Sequence, residues 1–171
     1  MKIIFLLLVS WTLFGKELHP ITKVNQWCKK EKEWTEGQFL QKATLATVTA
    51  QGHPHVESVD IVHFDKKEGP LFFIGRDLSL HPHAALHLPL PRTHRTVSIK
   101  GTLHPIAMAE REKRWSQLPL YKKRLFLPEK ASPKGALMPV TFIGYRVIPH
   151  TITFSENPPR SLPNQEVITL N

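Results

Sequence analysis

The sequence predicts a mostly β domain with a few helices, arranged as a small antiparallel barrel. Many short segments rich in β-branched residues follow one another between Gly, Pro and Asp turn signals, which is typical of small barrels. The 15 prolines among 171 residues argue against a helical bundle, because proline removes an amide donor and clashes inside helices. A hydrophobic fraction of 41% in a chain of this length indicates one globular domain.

The first 16 residues are interpreted separately from the domain. An apolar run from Ile3 to Gly15 lies between Lys2 and Lys16, and it is too short for a membrane span of about 20 residues. The pattern predicts an export signal. No Ala-x-Ala-like triplet follows the run, so an uncleaved anchor at a membrane surface is the alternative. We therefore expect a leader over 1–16 and a barrel domain over 17–171, in the periplasm or envelope if the leader functions and in the cytoplasm otherwise.

The predicted domain begins with a helix at Pro20 that ends near Gly37. Its apolar residues fall on one helical face, and they are Ile21, Val24, Trp27 and Cys28. Cys28 is expected to be a buried small hydrophobe rather than a reactive thiol. As the chain's one cysteine, it also excludes an intramolecular disulfide and a cysteine-rich zinc site.

Strands are predicted from Ala43 onward. The residues after Asp65 are predicted to form a hairpin loop, and residues Met108 to Gln117 are predicted to form a charged surface helix. The segment from Gly135 to Phe154 is predicted to return to strands. The earlier predicted strands are Thr44–Thr49, His55–Phe64, Leu71–Ile74, Ala84–Leu88 and Thr96–Gly101.

Five segments in sequence order resemble the pyridoxamine 5'-phosphate oxidase family, whose fold is the FMN-binding split β-barrel. One example is Arg-Thr-Val-Ser-Ile-Lys-Gly at 95–101, which resembles the family pattern Arg-Gln-Val-Arg-Ile-x-Gly. The segments are His19–Trp27, Ala43–Val48 with Gly52–Pro54, His81–Leu86, Arg95–Gly101, and Gly144–Pro149 with Ile152–Phe154. The resemblance implies a split barrel, a homodimer and a flavin or other small ligand at the dimer interface.

By position, the resemblance implies eight cofactor-binding residues for FMN. They are Glu57, Ser58, Val59, Val62, Ile74, Arg76, Arg95 and Thr96. Several are substituted relative to the family, because Glu57 and Val62 stand where the resemblance implies a phosphate-binding Arg and Lys. A carboxylate reverses the sign of such a contact, since Arg supplies bidentate donors and Glu supplies none. Replacement phosphate contacts from Arg76, Arg92, Arg95 and Lys100 are one hypothesis, and solvated surface charges are the other.

The substrate positions implied by the resemblance are substituted as well. Leu118 stands where the family has an Arg, and Pro163 lies in place of the cations or His of its closing motif. The sequence therefore predicts an FMN-binding protein of the oxidoreductase type without pyridoxamine phosphate oxidation. No catalytic residue is assigned.

Two alternatives to a flavoprotein remain open. Ten histidines include the local clusters His53–His55, His81–His83 and His87, and imidazole is a common ligand of zinc, copper and haem iron. A non-enzymatic module that binds haem or metal is thus one alternative, and scattered surface histidine is the simpler explanation. The net charge of +9 also allows an envelope-associated interaction protein. Nucleic-acid binding is disfavoured, because aromatic residues are not interleaved with the basic runs.

Overall fold

The computed structural model describes residues 18–78 and 82–170. The predicted leader over 1–16 and His81 lie outside the described residues. The chain forms α1 (Pro20–Trp34), β1 (Lys42–Val48), β2 (Pro54–Asp65), β3 (Gly69–Ile74), β4 (His83–Leu90), β5 (Arg95–Pro105), α2 (Met108–Gln117), α3 (Leu120–Lys123), a 3₁₀ turn (Arg124–Phe126), β6 (Ile143–Glu156) and β7 (Asn164–Thr169).

The strands form one antiparallel sheet that closes on itself. The order is β3-β2-β1-β4-β5-β6-β7, and β3 also pairs with β6, so six strands complete a barrel. The early part of β6 pairs with β3 from Ile143 to Arg146, and its later part pairs with β7 from Thr151 to Glu156. A long β6 therefore closes the barrel and also extends the sheet. The predicted mostly β barrel with a few helices is confirmed.

Alternation along each strand places the core inside the barrel. Leu45, Leu86, Ile99 and Ile152 are aligned across β1, β4, β5 and β6, and all are nearly or fully buried. Their sequence neighbours point outward, because successive residues of a strand face opposite sides of the sheet. This alternation decides which predicted site residues reach the outer surface.

Helix α1 packs against the barrel through the predicted apolar face. Trp27 contacts Phe154 edge to face, with ring centroids 5.0 Å apart. Cys28 is buried, and burial, with a smaller contribution from Glu31, raises the pKa of its thiol to about 12. The prediction of an unreactive buried cysteine is confirmed in its burial and packing.

The prediction for residues 135–154 is wrong in its first half. The strand begins at Ile143, and residues 135–142 form turns and irregular structure. Pro139 explains part of the difference, because proline cannot donate to a strand ladder. The described helices include none that is both long enough and apolar enough to cross a membrane.

Candidate functional site

A cleft lies between the outer face of β2 and β3 and the segment that runs from the end of α2 to β6. Its volume is about 210 Å³. Most of its lining is apolar, and the charged residues among it are Lys42, Asp60 and Lys122. The full lining is Lys42, Ser58, Val59, Asp60, Val62, Phe73, Leu118, Lys122, Leu125, Phe126 and Phe142.

Three phenylalanine rings form an aromatic wall of the cleft. Phe73 stacks on Phe142 with ring centroids 4.2 Å apart and planes inclined by 6°. Phe126 meets Phe142 edge to face at 4.9 Å. Gly144, opposite Phe73 in the β3–β6 ladder, leaves space for this arrangement, since a Cβ there would come 2.7 Å from the Phe73 ring. Phe142 is fully buried, so the partly exposed rings of Phe73 and Phe126 are the ones that present apolar surface to a ligand.

The two lysines of the cleft share one carboxylate. Lys42 Nζ lies 3.8 Å from Asp60 Oδ1, and Lys122 Nζ lies 3.6 Å from Asp60 Oδ2. Lys122 belongs to the short helix α3, so this pairing links the helical segment to β2. The cleft therefore combines aromatic walls with a small, internally paired charged rim.

Glu57 and Arg76 form an ion pair on the inner side of β2. Arg76 Nε donates to Glu57 Oε1 at 2.8 Å, its Nη2 bonds the same oxygen, and Nη2 also donates to Thr47 Oγ1 at 3.2 Å. His55 Nε2 lies 3.4 Å from Glu57 Oε1. Arg76 is thus held by a carboxylate at the position where the resemblance implies a phosphate-binding guanidinium.

The segment that carries Arg76 is fixed by Tyr145. The Leu78 amide donates to the Tyr145 hydroxyl at 2.8 Å, and that hydroxyl donates to Asp77 Oδ1 at 2.7 Å. Burial raises the pKa of Tyr145, so the hydroxyl keeps its proton at neutral pH. The position of Arg76 next to Glu57 is therefore set by the packing of β6.

The structure separates the eight residues implied as cofactor contacts. Ser58, Val59 and Val62 line the cleft, whereas Glu57 faces the inner side with Arg76. Ile74 is buried in the core. Arg95 and Thr96 lie on β5, which is separated from β2 by β1 and β4 in the sheet.

The other proposed replacement cations point to different places. The Arg95 guanidinium lies 4.6 Å from the centroid of the Trp27 ring and pairs with Glu156 at 2.7 Å. Lys100 lines a separate open depression on the outer sheet face. Arg92 lies in the turn between β4 and β5, where its backbone amide donates to buried Glu31 at 2.8 Å. These residues do not converge on the cleft.

Sequence reasoning missed most of the cleft. Phe126 and Phe142 lie in a 3₁₀ turn and an irregular segment, for which no strand or helix periodicity is available. Lys122 lies in a run of basic residues, Lys122–Arg124, whose sequence gives no indication of a binding site. One signal in the sequence could have indicated the cleft. Apolar residues replace the cations that the resemblance implies at Val62 and Leu118, and these two residues lie together in the cleft.

Comparison with known proteins finds curated relatives of one kind. No protein-family model matches the chain. The pyridoxine/pyridoxamine 5'-phosphate oxidase of Burkholderia multivorans is 29% identical over 152 residues, which cover 74% of this chain and 71% of the relative. The oxidase of Pseudomonas paraeruginosa is 28% identical over 149 residues, covering 70% and 67%. The chain is thus similar in sequence to pyridoxamine 5'-phosphate oxidases, at 26–29% identity, which supports the resemblance seen in its motifs.

Solved structures establish the family's split-barrel fold for this chain. PhzG from Burkholderia lata, in complex with tetrahydrophenazine-1-carboxylic acid, has a TM-score of 0.69 at 18% identity, covering 91% of this chain and 95% of PhzG. A pyridoxamine 5'-phosphate oxidase-related, FMN-binding protein from Nostoc punctiforme has a TM-score of 0.68 at 15% identity, with 90% and 99% covered. A heme binding protein from Mycobacterium smegmatis has a TM-score of 0.50 at 18% identity, with 81% and 57% covered.

Proposed function

We propose that this protein binds the ring system of a flavin in the cleft between β2, β3 and the helical segment. The observation that carries the proposal is the partly exposed pair Phe73 and Phe126, which lies beside the aliphatic side chains of Val62 and Leu118. Both rings pack on the buried ring of Phe142. Planar aromatic ligands gain from stacking on such surfaces, and binding sites are commonly apolar with a few polar groups. The FMN-binding relative from Nostoc punctiforme supports the same ligand class.

FMN as a whole fits these residues only in part. The ring matches the apolar wall, but the implied phosphate position holds the Glu57–Arg76 ion pair. Val62 offers no donor where the resemblance implies a Lys for the FMN phosphate, and Leu118 offers none where it implies a substrate-side Arg. The proposal therefore excludes oxidation of pyridoxamine 5'-phosphate and assigns no catalytic residue. Redox activity toward another substrate would rest on the bound flavin, which supplies electron transfer chemistry in this family.

The proposal includes a homodimer with the cleft at its interface. One chain provides about 210 Å³, which is less than the roughly 300 Å³ at the lower end of ligand pockets. Val48 and Val56 lie on the outer face of β1 and β2 and are 41% and 61% exposed, as expected for a surface that a second copy covers. Light scattering of the purified protein should give twice the chain mass of 19.6 kDa.

A charge on that outer face tests the dimer. Val56→Lys should shift the protein toward monomer, because a lysine there would be buried without a partner. Lys66→Ala, in the exposed turn between β2 and β3, is the control and should remain dimeric. A wild type that is monomeric at micromolar concentration would contradict this part of the proposal.

Haem binding is the second candidate function, and it would use a different surface. His83 and His150 line one open depression of about 340 Å³, beside Ala46, Val48 and Ala85. His150 Nε2 lies 3.0 Å from Thr102 Oγ1. Imidazole above small apolar side chains is a plausible environment for haem iron and its ring. The heme binding relative from Mycobacterium smegmatis supports this candidate.

An absorbance spectrum separates the two candidates. Protein starting at about Lys16 is purified without added cofactor and then titrated with riboflavin, FMN and haemin. A flavin band that co-purifies or saturates supports the main proposal, and Phe73→Ala should weaken it while His150→Ala leaves it unchanged. A Soret band lost in His150→Ala would favour the haem candidate. A colourless protein that binds none of the three would refute both.

Export through residues 1–16 is a separate part of the proposal. Its support is the apolar run that begins after Lys2. A fusion of residues 1–20 to alkaline phosphatase should be active, because that enzyme gains its disulfides only outside the bacterial cytoplasm. Replacing Leu7 by Arg should abolish the activity, and a fusion that is inactive from the outset would contradict export.

A further inference from the structure

The segment that joins α2 to β6, residues 118–141, leaves large apolar side chains in solvent. Leu137 and Val140 are 89% and 88% exposed, and neither lines the cleft. Exposed apolar side chains indicate an interaction surface only where they lie together, because isolated ones are normal on soluble proteins. The large apolar residues of the segment that are at least half exposed are Leu120, Tyr121, Leu125, Leu137 and Val140.

A groove brings the two ends of this segment together. Leu125 and Val140 both line it, and its volume is about 500 Å³. Thr141 Oγ1 donates to the Phe126 carbonyl at 3.3 Å and so ties one wall of the groove to the other. The remaining lining residues are Gly75, Leu127, Pro128 and Pro139. Residues that are distant in the chain therefore form one apolar surface.

Trp115 connects the later part of the segment to α3. Its indole Nε1 donates to the Ala136 carbonyl at 2.9 Å, and Lys123 Nζ lies 5.3 Å from the centroid of its ring. Ala136 directly precedes Leu137, so the most exposed leucine of the segment is held beside the same tryptophan as α3. The exposed apolar residues are thus parts of one connected surface rather than isolated side chains.

The charges of the segment are almost all positive. It contains five cations and one acid, Glu129. Among the described residues, Lys122 is the one cation of these five that lies within 4 Å of a carboxylate. The Arg124 guanidinium instead donates to the carbonyls of Pro128 and Ala131, which leaves its charge uncompensated. The five cations are Lys122, Lys123, Arg124, Lys130 and Lys134.

This combination of charge and apolar surface distinguishes between possible partners. Lysine is depleted at the centre of protein interfaces, so a second protein is a poor match. Apolar side chains bordered by Lys and Arg are typical of segments that lie on anionic lipid, where the apolar groups enter the headgroup layer and the cations approach the lipid phosphates. From this arrangement we propose that residues 118–141 dock on the surface of an anionic lipid bilayer.

The docking does not require a flavin in the cleft. Leu137, Val140, Lys130 and Lys134 lie outside the cleft lining, and they provide both the apolar and the charged part of the surface. Substitutions at these four positions therefore test the lipid proposal separately from the proposed function.

Vesicle sedimentation measures the proposed docking. The full chain is mixed with vesicles of phosphatidylcholine alone, or of phosphatidylcholine with phosphatidylglycerol. Any contribution of the apolar run in residues 1–16 is the same in every variant. We expect tighter binding to the anionic vesicles, and the difference should shrink as the salt concentration rises, because salt screens the attraction between charges.

Leu137→Asp combined with Val140→Asp tests the apolar part of the surface. Binding to anionic vesicles should weaken about tenfold or more, because two apolar side chains are lost and two carboxylates face the lipid phosphates. Leu162→Asp combined with Val167→Asp is the control, with the same chemical change at exposed positions after β6 and on β7. The control should stay within about twofold of wild type, since charges far from the lipid are screened.

Lys130→Gln combined with Lys134→Gln tests the charged part. Binding to anionic vesicles should weaken about fivefold for each lysine, and binding to phosphatidylcholine should not change. Lys66→Gln combined with Lys67→Gln, in the exposed turn between β2 and β3, is the control, and it should stay within about twofold of wild type. All four positions are exposed, so each variant should keep the folded barrel.

Three results would overturn the proposal. The first is a wild-type protein that binds both kinds of vesicle equally. The second is an equal effect on binding in each test variant and its control. The third is a change from dimer to monomer in Leu137→Asp combined with Val140→Asp, because light scattering would then show that a second copy of the chain covers this surface.

Discussion

Glu31 provides the clearest test of how the barrel is held together. This carboxylate on α1 is fully buried, and it accepts from the Arg92 amide at 2.8 Å and from the Thr93 amide and hydroxyl at 2.9 and 2.8 Å. These donors belong to the tight turn between β4 and β5. Glu31→Ala would remove the carboxylate that accepts from all three of these donors.

The three hydrogen bonds to Glu31 determine how much free energy of unfolding each variant should lose. A hydrogen bond to a charged group contributes about 1.5–3 kcal/mol, and truncating one member of a buried charged network costs about 3–5 kcal/mol. We expect a loss of about 3–5 kcal/mol for Glu31→Ala, since water entering the cavity recovers part of the three bonds. Glu31→Gln should lose about 1–3 kcal/mol, because its amide group presents a donor where one oxygen accepted.

Equilibrium unfolding in urea measures this loss. The midpoint should fall in both variants with little change in the slope, since the surface exposed on unfolding is nearly the same. Glu33→Ala, an exposed residue of the same helix, is the control and should stay within about 0.5 kcal/mol of wild type. A Glu31→Ala midpoint equal to that of the control would refute the role assigned to Glu31.

Three further outcomes follow from the packing. Native Cys28 should resist a thiol reagent at pH 8 and react after unfolding, because burial raises its pKa to about 12; rapid labelling of the native protein would contradict this. The stability that the buried neutral thiol contributes is present below the unfolded pKa of about 8.5 and is lost as the pH rises toward 12. Gly101→Ala should lower the melting temperature and the free energy of unfolding, the latter by about 1–3 kcal/mol, because a Cβ would lie 2.1 Å from a backbone carbonyl oxygen of β6. Gly75→Ala is the control, since a Cβ there meets nothing within 4 Å. Equal melting temperatures of the two variants would refute the clash. Tyr145→Phe should lose about 1–3 kcal/mol in urea unfolding because the Leu78 amide loses its acceptor, and an unchanged midpoint would contradict this.

The fold could be predicted because its signals are local. The apolar face from Ile21 to Cys28 and the alternation from Thr96 to Gly101 indicate α1 and β5 directly, and both elements are present. Strand β7 was missed, because most of its residues are exposed and it lacks an apolar alternation. The segment 135–142 was misassigned, since its apolar residues resemble a strand while its packing depends on contacts with distant elements.

The cleft was less predictable than the barrel because its walls are distant in sequence. Phe73 on β3 and Phe142 before β6 stack only once β3 has paired with β6. The ion pair likewise joins residues distant in sequence, Glu57 on β2 and Arg76 after β3, and the Tyr145 hydroxyl of β6 holds the residues that follow Arg76. The sequence indicated which family positions had changed, but it did not indicate what contacts the new residues make.

Amide chemical-shift perturbation in NMR can locate riboflavin on the protein and so test directly for a flavin-ring site in the cleft. Shifts should concentrate at the cleft, at Ser58, Phe73, Leu118 and Lys122, and should saturate as riboflavin is added. Perturbations centred instead on His83 and His150, or a spectrum that does not change with added riboflavin, would contradict a flavin-ring site in this cleft.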